Sequence, residues 1–299
     1  MTDFFDPHII GRVKGFALRS LRLVESLMAG MHKSRLRGIS TEFAQHRQYA
    51  VGDDTRRLDW KVFARTNRLY LKEYEAETNM PVRFLIDTSQ SMFFKSEKAA
   101  MTKFDYAATV VATLAYLLMQ QKDTFGLALF SQKVLAMLPP RGSRSHFRNV
   151  VEALSGAGGQ GQTDLPNAIS NIAPQCKQRG VVVIVSDLLS DIEQLALAFG
   201  QLSFLGQDVI VFHVEDPAER DFPYAGPTVF LGPEQEGKLL CEPRDFRNVY
   251  LAERRNHLDA VHAACLRFGY NLEAMPTDAP LDAVLSAFLS LRQARRMIR

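Results

Sequence analysis

The chain has 299 residues, of which 46% are hydrophobic and 23% are charged, so it is long enough to bury a sizeable core. Its net charge of +3 is too small to indicate nucleic-acid binding, and its three widely spaced cysteines argue against a zinc motif or a disulfide framework. Because no apolar run could cross a bilayer and no secretory signal is visible, we expect a cytoplasmic protein with reduced thiols.

The N-terminal part of the chain is predicted to be helical and basic. Residues 8–29 place apolar side chains at helical spacing, with arginine and lysine between them. Such a helix could lie on a membrane surface or a partner, or could pack on the main domain with a solvated basic face. We favour packing, because intermingled charge is common on solvated helices. A short helix within 56–65 and a strand at 69–75 are predicted next.

The segment from Val82 to Met92 carries the first candidate site. Its apolar run, 82–86, is short and rich in branched residues, which predicts a buried strand that ends at Asp87. In open α/β sheets, ligands bind at the carboxyl ends of the strands. Ser89 and Ser91 follow at alternate positions and can bring two hydroxyl groups to the same place. Taken alone, this string fits either a metal site or a helix cap.

Helices alternate with strands along the rest of the chain. Helices are predicted at 96–121, 143–154, from Thr163 to about 178, and at 192–205, 244–268 and 280–292. Strands are predicted at 125–130, 134–138 (ended by Pro139-Pro140), 181–185, 208–213, 229–231, 238–241 and 270–274. This alternation predicts an α/β fold with a doubly wound, mostly parallel sheet. We expect residues 1–78 to pack as an N-terminal segment on a core domain, residues 79–299, that ends in a helical elaboration.

Two later segments supply the remaining oxygen ligands of a candidate metal site. Thr163 lies at the end of a glycine-rich loop that begins at Gly158, and Asp187 follows the predicted strand at 181–185. Carboxylate and hydroxyl oxygens suit a hard divalent cation. His213 also ends a strand and could lie near the site, but a structural histidine is favoured.

Asp87, Ser89, Ser91, Thr163 and Asp187 resemble, in order and local context, the metal-ion-dependent adhesion site of von Willebrand factor A domains. The resemblance implies a von Willebrand A-like, Rossmann-like fold and a weakly bound Mg²⁺, Mn²⁺ or Ca²⁺ held by these five side chains. It also implies a protein partner whose exposed carboxylate completes the coordination of the ion.

A second resemblance concerns the segment before the first buried strand. Its signature consists of Glu42-Phe43, Arg47-x-Tyr49, Gly52-Asp53-Asp54, Arg56, Asp59-Trp60 and Ala64-Arg65. It is similar to that of the bacterial domain-of-unknown-function 58 family. Members are commonly encoded beside MoxR-type AAA+ ATPases, which implies such an ATPase as partner. Many carry two N-terminal transmembrane helices, which we do not expect in this chain because it has no apolar run of the necessary length.

The alternation of arginine with acidic residues in this signature has two main interpretations. An ion-pair network could clamp the segment onto the sheet, since arginine can bind a carboxylate at two points. Alternatively, the segment could bind an acidic partner or phosphate. We favour the clamp. Nucleic-acid binding is disfavoured, because acidic residues interrupt the basic ones.

The sequence favours a metal-dependent protein-binding module, acting as an adaptor or assembly factor, over an enzyme. The alternative is a metal-dependent hydrolase, such as a phosphatase of the haloacid-dehalogenase type that uses the strand-end Asp87. Such an enzyme needs a second carboxylate two positions later, where this chain has Ser89, which cannot act as an acid or base near neutral pH. No nucleophile–base pair and no phosphate-binding loop are evident, so we predict no catalytic residues and no organic cofactor.

Overall fold

The computed structural model describes residues 43–49, 58, 60–66, 68–74, 80–231 and 238–281. These residues form two compact units, one before residue 80 and one from residue 80 onward. The predicted helix at 8–29 lies outside the described residues, as does the closing helix beyond residue 281.

The smaller unit contains a two-stranded antiparallel sheet and one short helix. Strand β1 (Phe43–Gln48) pairs with β2 (Tyr70–Tyr74), and helix α1 (Trp60–Thr66) lies between them in the chain. Strand β2 and the helix were predicted. Strand β1 was not, because its sequence has no alternation of apolar and polar residues. Trp60 is 62% exposed, and its ring lies nearly perpendicular to that of Phe63, with the ring centroids 6.1 Å apart. The clamping of this segment onto the sheet stays a prediction.

The larger unit is built on a six-stranded sheet. Its strands are β3 (Val82–Asp87), β4 (Phe125–Phe130), β5 (Val134–Arg141), β6 (Val181–Ser186), β7 (Asp208–Glu215) and β10 (Asn271–Pro276). Their spatial order is β10-β7-β6-β3-β4-β5, and every neighbouring pair is parallel except β4 and β5. The predicted α/β fold with a doubly wound, mostly parallel sheet is confirmed.

Helices connect the strands and cover both faces of this sheet. They are α2 (Lys103–Gln120), α3 (Arg144–Gly156), α4 (Leu165–Ile172), α5 (Ile192–Phe204), α6 (Pro217–Asp221) and α7 (Pro243–Arg267). The predicted hairpin is also present, as β8 (Thr228–Leu231) and β9 (Lys238–Cys241). In the described ranges no helix combines the length and apolar character needed to cross a membrane.

Each central strand contributes side chains to two separate cores. In β3, Phe84 and Ile86 pack with helices α2 and α3 on one face, whereas Leu85 packs with α4 and α5 on the other. Successive side chains of a strand point to opposite faces, and here both faces are covered. A strand buried on both faces reads as a continuous apolar run, which is why these strands were evident in the sequence.

In the larger unit, three element boundaries differ from the prediction by three residues or more. Helix α2 begins at Lys103 rather than at residue 96, because the Thr102 hydroxyl accepts a hydrogen bond from the Asp105 N–H and caps the helix. Helix α4 ends at Ile172 and passes into a 3₁₀ turn that contains Pro174, a residue that cannot continue a helix. Strand β5 continues through Pro139 and Pro140 to Arg141.

The prolines of β5 are tolerated because β5 is an edge strand. Its pairing with β4 is irregular between Phe125 and Leu127, opposite Pro140. At Gly126, a Cβ atom would lie 2.7 Å from the Leu138 carbonyl oxygen and 3.0 Å from the Pro140 nitrogen. Only glycine therefore allows the two backbones to approach this closely.

Gly126→Ala should lower the free energy of unfolding by about 1–3 kcal/mol, because the atoms it meets are backbone and cannot turn away. The matched control is Gly156→Ala at the end of α3, where a Cβ meets no atom within 4 Å. That change should stabilise the protein by up to about 1 kcal/mol through helix propensity. Urea denaturation of both variants measures the difference, and equal effects would contradict this explanation.

Candidate functional site

The five predicted site residues lie together at the carboxyl edge of the large sheet. Asp87 is the last residue of β3, and Asp187 directly follows β6, the parallel neighbour of β3. Ser89 and Ser91 lie in the turn that leaves β3, where residues 90–93 form a 3₁₀ helix. Thr163 lies on the loop that leads into α4.

Backbone hydrogen bonds attach the Thr163 loop to the turn after β3. The Gln160 N–H donates to the Thr88 carbonyl at 3.1 Å, and the Gln90 N–H donates to the Gly161 carbonyl at 3.0 Å. Gly161 has a φ of +62°, a conformation that glycine adopts without steric cost. The glycine-rich sequence therefore brings the Thr163 hydroxyl to the site.

Asp87 is fully buried and accepts three hydrogen bonds. Its Oδ1 accepts from the Ser89 N–H at 2.8 Å. Its Oδ2 accepts from the hydroxyls of Thr163 and Ser186, each at 2.7 Å. These donors hold the carboxylate in one orientation. Ser186 directly precedes the predicted Asp187, but its role was not foreseen.

Asp187 is held by a different set of donors. Its Oδ2 accepts from the Ser91 hydroxyl at 2.7 Å, and the Ser91 and Ser89 hydroxyl oxygens lie 3.1 Å apart. The five predicted residues therefore belong to one hydrogen-bond network, in which the Ser89 N–H links the Asp87 carboxylate to the serine hydroxyls and Asp187. The other carboxylate oxygen, Asp187 Oδ1, is buried and receives no hydrogen bond from the described residues.

The proximity of two buried carboxylates changes the acidity of Asp87. Burial, together with the negative charge of Asp187, raises the pKa of Asp87 to about 6, although its hydrogen-bond donors oppose the shift. A cation at this edge would favour the ionised form of both carboxylates.

The site also contains a buried lysine that sequence reasoning missed. Lys103 is the first residue of α2, and its Nζ donates to Asp187 Oδ2 at 2.9 Å and to Glu219 Oε1 at 2.6 Å. Burial alone would lower its pKa, but the charges of Asp187 and Glu219 raise it above the usual value. Because helix α2 was predicted to start at residue 96, Lys103 was not recognised as its first residue. A helix that follows β3 begins near the carboxyl edge, so the correct start would have made Lys103 a candidate.

His213 also lies beside the site. It is the sheet neighbour of Ser186 and is buried. Burial lowers its pKa to about 4, an effect that the charge of Arg254 reinforces and that of Asp187 opposes. The ring is therefore neutral at physiological pH and adds no charge to the site.

The chemistry of these groups suits a hard divalent cation better than a soft one. The described residues contain no cluster of three or more His, Cys, Asp or Glu side chains that could hold a metal. An ion at this edge would depend on the two carboxylates and on hydroxyl oxygens, which are ligands for Mg²⁺, Mn²⁺ or Ca²⁺. The unpaired Asp187 Oδ1 is the oxygen that such an ion could take without displacing a protein donor.

Known proteins resemble this chain over most of its length. The uncharacterised protein Rv1480 of Mycobacterium tuberculosis strain H37Rv is 26% identical over 241 residues, which cover 78% of this chain and 73% of that protein. Among solved structures, an aerotolerance-related membrane protein from Bacteroides fragilis has a TM-score of 0.45 at 16% identity, covering 70% of this chain and 96% of that one. The SpRpn10 VWA domain has a TM-score of 0.41 at 16% identity, covering 69% and 93%.

A family model matches most of the larger unit together with all of the signature described above except Glu42-Phe43. The matched region is residues 45–260, about seven tenths of the chain, and includes all five residues of the network. The chain therefore belongs to the family described as Protein of unknown function DUF58.

Proposed function

We propose that this protein is a metal-dependent protein-binding module. Asp87, Ser89, Ser91, Thr163 and Asp187 would hold a divalent cation, and a carboxylate of a protein partner would complete the coordination of that ion. The observation that carries the proposal is the hydrogen-bond network of these five residues, which the Ser89 N–H makes continuous and in which a buried carboxylate oxygen has no hydrogen-bond donor among the described residues. Three segments that are distant in sequence converge to form this network.

The side chains of the network can reorganise toward a cation without a change of fold. When bound, the ion would supply a concentrated positive charge and an open coordination position, both of which attract a carboxylate. The Thr163 and Ser91 hydroxyls now donate to Asp87 and Asp187. Because a hydroxyl group also has acceptor lone pairs and can rotate, each of them can present oxygen to an ion.

The wider role that we propose is that of an adaptor or assembly factor. The proposed partner is a MoxR-type AAA+ ATPase, which would supply the energy for assembly. The support for this partner is the family resemblance of the signature, whereas the support for carboxylate recognition is the chemistry of the site. The two parts of the proposal can therefore be tested separately.

Asp87→Asn should weaken Mn²⁺ binding by about tenfold or more near neutral pH, because it removes one of the two charges that attract the ion. Asparagine keeps the shape of the side chain, and the Thr163 and Ser186 hydroxyls can turn to accept from its amide. Loss of the free Mn²⁺ signal in electron paramagnetic resonance measures binding.

The control for this measurement is Asp191→Asn. Asp191 is exposed and caps α5, a role that asparagine also fills, and no described hydrogen bond joins it to the network. This variant should bind Mn²⁺ like the wild type. Equal affinity in all three proteins would contradict the proposed site.

The effect of pH on stability should change sign when the cation is added. Without a cation, the pKa of Asp87 lies at about 6 in the folded state, above its ordinary value of 3.8. The folded state therefore binds the proton more tightly, and the contribution of Asp87 to the free energy of unfolding falls as pH rises from 3.8 to about 6. With saturating Mg²⁺, which requires the ionised carboxylate, stability should instead rise over the same range.

Melting temperatures measured across this pH range, in chelator and in Mg²⁺, test the prediction. The informative quantity is the difference between the wild type and Asp87→Asn, because the other titrating groups cancel in it. The same pH trend for both proteins in chelator would show that Asp87 titrates as it does in the unfolded chain.

Capture of the partner should require both the ion and Asp87. Immobilised wild-type protein should retain a purified MoxR-type ATPase in millimolar Mg²⁺ and release it in chelator, and Asp87→Asn should not retain it. Asp191→Asn should behave like the wild type. Retention of the ATPase that persists in chelator would contradict a metal-dependent contact. Hydrolysis of phosphate or ester substrates that depends on Asp87 would favour the enzyme alternative.

A further inference from the structure

A cationic side chain already lies against the network proposed to hold the divalent ion. Lys103 has no solvent exposure, and its ammonium group contacts Asp187 Oδ2 at 2.9 Å and Glu219 Oε1 at 2.6 Å. The Ser91 hydroxyl donates to the same Asp187 oxygen. One oxygen of Asp187 is thus occupied by two donors, whereas Oδ1 has none among the described residues.

We propose that Lys103 is a fixed counter-charge that limits how tightly this site holds a divalent cation and so strengthens the attraction of the bound ion for an acidic ligand. This inference rests on the function proposed above. Lys103 would not touch the ion. It would act through Asp187, as a positioning and charge-setting residue.

The charges at the site support this role. Asp87 and Asp187 together offer two negative charges, enough to neutralise a divalent cation fully. Lys103 neutralises part of the Asp187 charge through a buried ion pair, where electrostatic interactions are weakly screened. A bound cation would therefore keep part of its positive charge, which an additional carboxylate can neutralise. The Lys103 ammonium and the ion would both interact with the Asp187 carboxylate, and these two positive charges would repel each other.

Because of Glu219, the Lys103 ammonium interacts with two carboxylates, those of Glu219 and Asp187. Glu219 lies in α6, and its second oxygen accepts from the Asp216 N–H, which fixes the side chain. Because Glu219 neutralises part of Lys103, it reduces the hold of the ammonium on Asp187. A simple buried Lys–Glu pair would satisfy both charges without Asp187. The contact between Lys103 and Asp187 is the one that links this pair to the proposed ion site.

Mn²⁺ titrations followed by electron paramagnetic resonance at neutral pH test the inference. Lys103→Met removes the charge and keeps much of the side-chain length, and it should tighten Mn²⁺ binding by about tenfold. Lys98→Met removes an exposed lysine from the segment just before α2 and should change binding by less than about twofold, because exposed charges are screened. Glu219→Gln should weaken binding.

A second measurement examines the attraction for an acidic ligand. Acetate labelled with ¹³C serves as the probe, and its paramagnetic broadening by protein-bound Mn²⁺ reports its affinity for the loaded site. Acetate should bind the Mn²⁺-loaded Lys103→Met variant several-fold more weakly than the loaded wild type. A residue that served folding alone would change thermal stability without this opposite effect on the two affinities.

The outcomes separate this inference from the proposed function. If the wild type binds Mn²⁺ and Lys103→Met binds it no more tightly, the counter-charge role is wrong and the proposed function stands. If Lys103→Met binds Mn²⁺ and the wild type does not, Lys103 excludes the ion from the natural protein, and both the proposed function and the inference are wrong. Absence of binding in every variant would overturn both.

A further pair of variants covers the case in which Lys103→Met does not fold. The double variant Lys103→Met/Glu219→Gln removes both charges of the pair, so it leaves no unpaired Glu219 carboxylate. It should bind Mn²⁺ about tenfold more tightly than Glu219→Gln alone. Equal binding by these two proteins would overturn the inference.

Discussion

Repulsion between two buried carboxylates is the constraint around which the carboxyl edge of this sheet is arranged. Asp87 and Asp187 end neighbouring parallel strands, and both are almost fully shielded from water. Water cannot screen their charges, so the protein must offset them with its own donors. Thr163, Ser186 and the Ser89 N–H surround Asp87, while Ser91 and Lys103 hold Asp187. Each carboxylate thus has its own donors, and the serine pair joins the two groups.

The sheet topology makes this arrangement possible from distant parts of the chain. Parallel strands all present their carboxyl ends at one edge, so the turn after β3, the loop before α4 and the start of α2 meet there. The two cores behind the edge need no ion to form, because their strands are buried on both faces by apolar packing. The fold would therefore persist whether or not the ion proposed for this edge is bound.

Much of this arrangement could be predicted from the sequence. The parts that could not be predicted share one cause, which is that they leave no local pattern in the sequence. The central strands are continuous apolar runs that end in carboxylates, so their positions and the convergence of Asp87 with Asp187 were foreseeable. The contact of Lys103 with Glu219 spans 116 residues and leaves no local pattern. Strand β1 likewise has no apolar periodicity, and its pairing with β2 depends on backbone hydrogen bonds, which are independent of side-chain type.

The consecutive prolines of β5 have a consequence for how this protein can meet other chains. Successive N–H groups of a strand point to opposite sides, so Pro139 and Pro140 together remove one donor from each side. The outer edge of β5 therefore lacks part of the ladder that an added strand would need. Edge-to-edge aggregation and recognition by strand addition are both disfavoured at this side of the sheet. A partner is better accommodated at the polar carboxyl edge, where contacts are made by side chains.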